Sequence, residues 1–172
     1  MNTIFLLTSL FVLLTILAES INLFLQLRGK KLNVWFGKNA FKFHMLVTGS
    51  FWLITFCLIV LLQFEKHPLF HHSDILKYIG LILLFSGIIL ASWGFSLLGL
   101  KRSMCLNFFE ENVPVVKSSL YKYIENPEDY GLWIALIGLA LFTGSLYNLA
   151  IAVEFIIIMI PHMMLENIAL KK

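Results

Sequence analysis

Residues 3–25 read TIFLLTSLFVLLTILAESINLFL, with Glu19 as the only charge. A helix needs about 20 apolar residues to cross a bilayer core about 30 Å thick. Three more apolar regions follow, at roughly 44–63, 75–100 and 130–160. They leave little chain for anything else. With 59% of residues hydrophobic and 13% charged, the composition is far from that of a soluble domain, which is about half apolar and a quarter charged. The fold class expected is all-α: a polytopic transmembrane helical bundle forming a single integral membrane domain over residues 1–172.

The last apolar region is too long for one comfortable span and short for two. Within it FTGSLYN, residues 142–148, reads as a tight turn. A C-terminal helical hairpin is therefore expected, with its turn near Gly144 and a last helix running to about residue 170. That makes about five spans. The N-terminal stretch has the length of a signal peptide but no basic segment ahead of its apolar run, so it reads as a retained first span.

Basic residues set the expected orientation. The first loop carries Arg28, Lys30, Lys31, Lys38 and Lys42 without an acid, and the third carries Lys101, Arg102, Lys117 and Lys122. The second, FEKHPLFHHSDILK, is mixed. The positive-inside rule places loops one and three in the cytosol, the N-terminus outside and the C-terminus inside.

Ionisable groups inside spans face the bundle interior. Glu19, Asn22 and Gln26 are spaced by three and four and share one helical stripe, which suits interhelical hydrogen bonds. Glu154 is expected buried and paired. Pro161 removes a backbone donor and should kink the last helix; His162 and Glu166, four apart, share a face beyond it. The small residues Ser86, Gly87, Ser92, Gly94, Ser96 and Gly99, and then Gly131, Ala135 and Gly138, fit close helix packing. Cys57 and Cys105 have no partner at metal-type spacing, and His67, His71 and His72 around Pro68 read as an ordinary loop. No metal is expected. Dinucleotide, P-loop, HExxH and GxSxG motifs are missing. The basic residues follow topology, giving nucleic-acid binding no support.

The segment YKYIENPEDYGLWIALIGLALFTGSLYNLAIAVEFIIIMIPHMMLEN resembles the C-terminal core of the integral-membrane methyltransferases, the phospholipid and isoprenylcysteine carboxyl methyltransferases. Their pattern is an [Arg/Asp]-[His/Asn]-Pro-x-Tyr-x-Gly element, a helical hairpin and a Glu-Glu pair. Here the first element reads Glu125-Asn126-Pro127-Glu128-Asp129-Tyr130-Gly131 and the last Glu166-Asn167. The likeness covers about residues 94–170. It implies a cytosol-facing S-adenosylmethionine site, with Asn126, Pro127, Gly131, His162, Glu166 and Asn167 binding the cofactor and Glu166 and Tyr130 at the chemistry. The implied reaction is methyl transfer to a phospholipid amine or a lipidated carboxylate. The implied partner is a membrane lipid or lipidated substrate, and an oligomer is left open. The chain departs from the pattern at Glu125, at Asp129 with Tyr130 one place late, and at Asn167. A diverged, non-catalytic protein that binds lipid or a partner is the alternative, with an NADPH-dependent membrane reductase behind it.

Overall fold

The structure, a computed structural model, describes residues 2–70, 73–110, 113, 116 and 119–170. Seven α-helices are found among them: α1 (Thr3–Leu27), α2 (Lys31–Phe36), α3 (Ala40–Leu62), α4 (Asp74–Leu98), α5 (Leu100–Ser103), α6 (Pro127–Thr143) and α7 (Leu146–Leu170). The described residues form no strand, only an isolated bridge between Leu69 and Ser145. The all-α expectation holds, and the four long apolar runs end within a few residues of where the sequence puts them. Residues 71–72, with their two histidines, and Lys117 lie outside the described residues, as do Lys171 and Lys172 at the C-terminus.

The hairpin turn is at Gly144, as expected. Gly144 adopts the left-handed conformation (φ 63°) that closes α6, and the Ser145 hydroxyl accepts from the Asn148 amide in the first turn of α7. The Asn148 side chain reaches back to Thr143 Oγ1 at 2.9 Å. Among the described residues, four helices are by length and composition able to cross a membrane; α6 is shorter, at 17 residues, because Pro127 fixes its start and Gly144 its end. Helix α7 runs through Pro161 to Leu170; Pro161, with no N–H, has nothing to donate to the Ile157 carbonyl one turn earlier.

The chain divides into two compact units. The first comprises Met1–Phe64, Leu100–Val115 and Ile157–Lys172. Its helices α1 and α3 run antiparallel, joined by a ladder of polar contacts. Thr15 Oγ1 bonds Thr55 Oγ1 at 2.8 Å, Trp52 Nε1 donates to Glu19 at 3.2 Å, and Asn22 Nδ2 meets His44 Nδ1 at 3.2 Å. Helix α1 buries Thr8, Val12, Thr15, Ile16, Glu19, Asn22, Leu23 and Gln26, spaced for one face, and turns Leu10, Leu17 and Ile21 outward. Polarity is thus inside and hydrocarbon outside, as a lipid solvent requires. Below the ladder Leu23, Leu32, Ala40, Cys105, Phe108 and Phe109 form an apolar core. Gln26 ties it off: its side chain donates to Asn33 Oδ1 and the Phe108 carbonyl and accepts from the Leu32 amide.

The second unit comprises Glu65–Gly99 and Val116–Ile156. Here α4 and α6 run antiparallel and meet backbone to backbone. Gly80, Gly87 and Gly94 repeat every seven residues along α4, and Gly131 and Gly138 do so along α6. A Cβ on Gly138 would overlap the Leu84 backbone, and one on Gly131 the Ala91 backbone. A seven-residue repeat keeps one seam facing its partner as two helices wind gently around each other. Of the small residues singled out in the sequence, Gly87, Gly94, Gly131, Ala135 and Gly138 make this seam, whereas Ser86, Ser92, Ser96 and Gly99 are exposed. Gly138→Val should therefore force α4 and α6 apart, costing about 1–3 kcal/mol as overpacking does. Gly49→Ala, where nothing lies within 4 Å of the added carbon, should be neutral or stabilising by up to about 1 kcal/mol. Unfolding midpoints in mixed micelles check both, and equal midpoints for the two variants would refute the seam.

Candidate functional site

The polar stripe of α1 ends in a buried cluster within the first unit. Glu19, 3% exposed, receives the Trp52 indole N–H on Oε2. The same oxygen lies 4.0 Å from His162 Nε2. Glu166 Oε1 approaches the same nitrogen to 3.6 Å. His162, 2% exposed, is held from behind by a hydrogen bond between its Nδ1 and Ser20 Oγ at 3.1 Å. The Cys105 thiol donates to Glu166 Oε1 at 2.8 Å.

Local structure delivers each group. Adjacent positions on α1 supply Glu19 and Ser20, and α3 supplies Trp52. Cys105 follows α5 in a left-handed turn (φ 59°) that starts the short 3₁₀ segment Leu106–Phe108, so the chain reverses with its thiol turned inward. His162 and Glu166 are one helical turn apart on α7, directly after Pro161. A neighbouring network holds His44, whose Nδ1 lies 3.2 Å from Asn22 and 3.4 Å from Thr48. The interhelical bonding expected of Glu19, Asn22 and Gln26 is thus found at all three.

The second unit holds the other expected residues at the start of α6. Asn126 stands before the helix in the left-handed conformation (φ 50°). Pro127 takes the first helical position, where its missing N–H costs nothing, and Glu128 and Asp129 occupy the first turn, favoured by the helix dipole. Asn126, Pro127, Glu128 and Asp129 are all buried, whereas Tyr130 is 38% exposed, edge-on to Trp133 at 5.1 Å between ring centroids. The Tyr121 hydroxyl donates to Glu128 Oε2 and also lies 3.3 Å from the Gly94 carbonyl. Gly131 is where α6 meets α4.

Of the residues expected from the sequence, Asn126, Pro127, Tyr130 and Gly131 thus cluster in the second unit. His162, Glu166 and Asn167 belong to the first. Glu154 is half-buried rather than buried. Ser20, Trp52 and Cys105 carry no signal of their own in the sequence. Cys105 corrects the reading that neither cysteine has a metal-type neighbour, because its neighbours come from α1 and α7, far along the chain.

Long apolar helices with polar groups turned inward define an integral membrane protein of the helical-bundle class. The family model of the phospholipid methyltransferases matches residues 76–172, more than half of the chain, and the protein belongs to that family. No curated protein and no solved structure matches it. The matched stretch runs from α4 to the C-terminus, reaching further back than the motif resemblance, and includes Cys105, Asn126, His162 and Glu166. Helices α1 to α3, with Glu19, Ser20 and Trp52, lie outside it. Membership supports a membrane methyltransferase.

The Glu19–Trp52 contact can be tested by itself. Trp52→Phe keeps an aromatic ring and removes the donor to a buried carboxylate, at a cost of about 1.5–3 kcal/mol. Trp93→Phe, at a half-exposed position on α4, should stay within about 0.5 kcal/mol of the parent. Unfolding in mixed micelles measures both, and a Trp52→Phe midpoint equal to that of Trp93→Phe would show that the indole N–H is not holding Glu19.

Proposed function

We propose that the protein transfers a methyl group from S-adenosylmethionine to the amine of a phospholipid headgroup at the cytosolic membrane face. The observation carrying this reading is the family match over residues 76–172, which contains both the Asn126-to-Gly131 element and Glu166-Asn167. The donor chemistry of the residues fits. S-adenosylmethionine, when bound, supplies an electrophilic methyl on a sulfonium beside a charged amino group. Glu166 can offset that positive charge, and Asn167 beside it can hydrogen-bond a polar group of the cofactor. The exposed ring of Tyr130 offers a face to a cation.

The acceptor follows from charge. An ammonium headgroup must lose a proton before its nitrogen can attack, and a carboxylate beside it can take that proton. Two converging carboxylates favour an approaching ammonium and repel a carboxylate. This favours the phospholipid amine over a lipidated carboxylate. The departures at Glu125, Asp129 and Asn167 favour the second reading, a lipid-binding protein without activity.

Titration of the purified protein with S-adenosylmethionine, and separately with NADPH, in phosphatidylethanolamine-containing nanodiscs distinguishes these readings. The parent should bind S-adenosylmethionine and not NADPH. Glu166→Gln should weaken binding by about 1.5–3 kcal/mol, roughly ten- to a hundredfold, while Glu110→Gln, at an exposed position, should bind like the parent. No S-adenosylmethionine binding by the parent with lipid present would transfer the case to the non-catalytic reading.

The cytosolic orientation rests on the basic first and third loops. Cysteine introduced at Lys38, in a background with Cys57→Ser, should react with an impermeant maleimide only from the cytosolic side. Cysteine at His67 should react only from the opposite side, and the reverse pattern would invert the topology.

A further inference from the structure

Methyl transfer explains carboxylates and an imidazole. It gives no task to a buried thiol among them. Glu19, Cys105 and His162 come from three separate stretches of the first unit, all are buried, and one donor atom from each lies within 4.8 Å of the others. Glu166 Oε1 adds a fourth donor, 2.8 Å from Cys105 Sγ and 3.6 Å from His162 Nε2. A tetrahedral zinc ion with bonds of about 2.0–2.3 Å holds neighbouring donors about 3.3–3.7 Å apart. The separations among Glu19, Cys105 and His162, and from Glu166 to the last two, lie around that spacing, so side-chain adjustment would bring these donors around one ion.

The groups behind these donors also suit a metal. A ligating histidine usually has its second ring nitrogen hydrogen-bonded, which fixes the ring, and a ligating carboxylate has a donor of its own. Ser20 does the first for His162, at Nδ1, leaving Nε2 toward the carboxylates. Trp52 does the second for Glu19. A proton network would gain little from the thiol, a weak hydrogen-bond donor, whereas a thiolate is a strong ligand for a borderline-soft cation. One sulfur, one nitrogen and two carboxylate oxygens select zinc over magnesium or calcium, which take oxygen ligands.

We propose that Glu19, Cys105, His162 and Glu166 bind one zinc-class divalent ion that joins α1, the turn after α5 and the last turns of α7. Four protein donors fill a tetrahedral shell, so the ion is structural. Binding deprotonates Cys105 and releases that proton to solvent.

The test needs no methyl donor. Chelator-stripped protein in detergent is titrated with cobalt(II), then with zinc. The parent should take up one cobalt per chain with a thiolate-to-cobalt charge-transfer band in the near ultraviolet, and zinc should displace it. Cys105→Ser should lose the band and bind zinc at least roughly tenfold more weakly, Glu19→Gln should bind more weakly while keeping the band, and Glu110→Gln should match the parent. Because Cys105→Ser can disturb folding, a second readout uses Cys57→Ser protein: zinc should protect Cys105 from alkylation. No thiolate band in the parent together with no protection would overturn the proposal. So would a folded Cys105→Ser protein that binds zinc as tightly as the parent.

Discussion

In hydrocarbon the surroundings are as apolar as leucine, so burying leucine against leucine gains little, and helices associate through close backbone approach and polar contacts. Each unit of this protein relies on one of these two means. The first joins α1 to α3 through Thr15, Glu19 and Asn22, each meeting a polar group on α3. The second joins α4 to α6 through glycines spaced by seven, so near that an added carbon would meet backbone. A soluble helix buries its apolar stripe; α1 buries Thr8, Thr15, Glu19, Asn22 and Gln26. That inversion brings Glu19 to His162, and the candidate site is its direct consequence.

Much of this was legible before any coordinates. Span positions follow from apolar run length, which the bilayer fixes. The turn at Gly144 follows from a polar break in a region of awkward length. Glu19, Asn22 and Gln26 stand out because a polar residue in a span must have a partner. The partners themselves are another matter. Trp52, Ser20 and Cys105 are ordinary residues in their local context, and only the return of the chain along α7 and the left-handed turn at Cys105 give them a role. Glu154 shows the limit of the rule for charges in spans: half-burial meets the requirement as well as full burial.

The family match and the site divide the molecule differently. The matched residues, 76–172, carry Asn126, Tyr130 and Glu166. They do not carry Glu19, which lies 4.0 Å from His162, nor the tryptophan and serine that steady the pair. The helices outside the match are therefore more than membrane anchors. They complete the electrostatic surroundings of a histidine inside it, and properties that depend on Glu19 are decided by this chain's own first helix.

What such a cluster requires is positive charge. Two carboxylates held in a largely desolvated place are costly unless a cation or a proton offsets them. His162 can carry that proton itself. An ammonium headgroup, the sulfonium of a methyl donor or a metal ion can supply the charge from outside. All four satisfy the same electrostatics, so charge alone does not choose among them. The thiol does. Cys105 contributes little to a proton or an organic cation and a great deal to a borderline-soft metal, and its left-handed backbone conformation holds it where the carboxylates and the imidazole converge. A sulfur at that point argues for an ion that holds the first unit together.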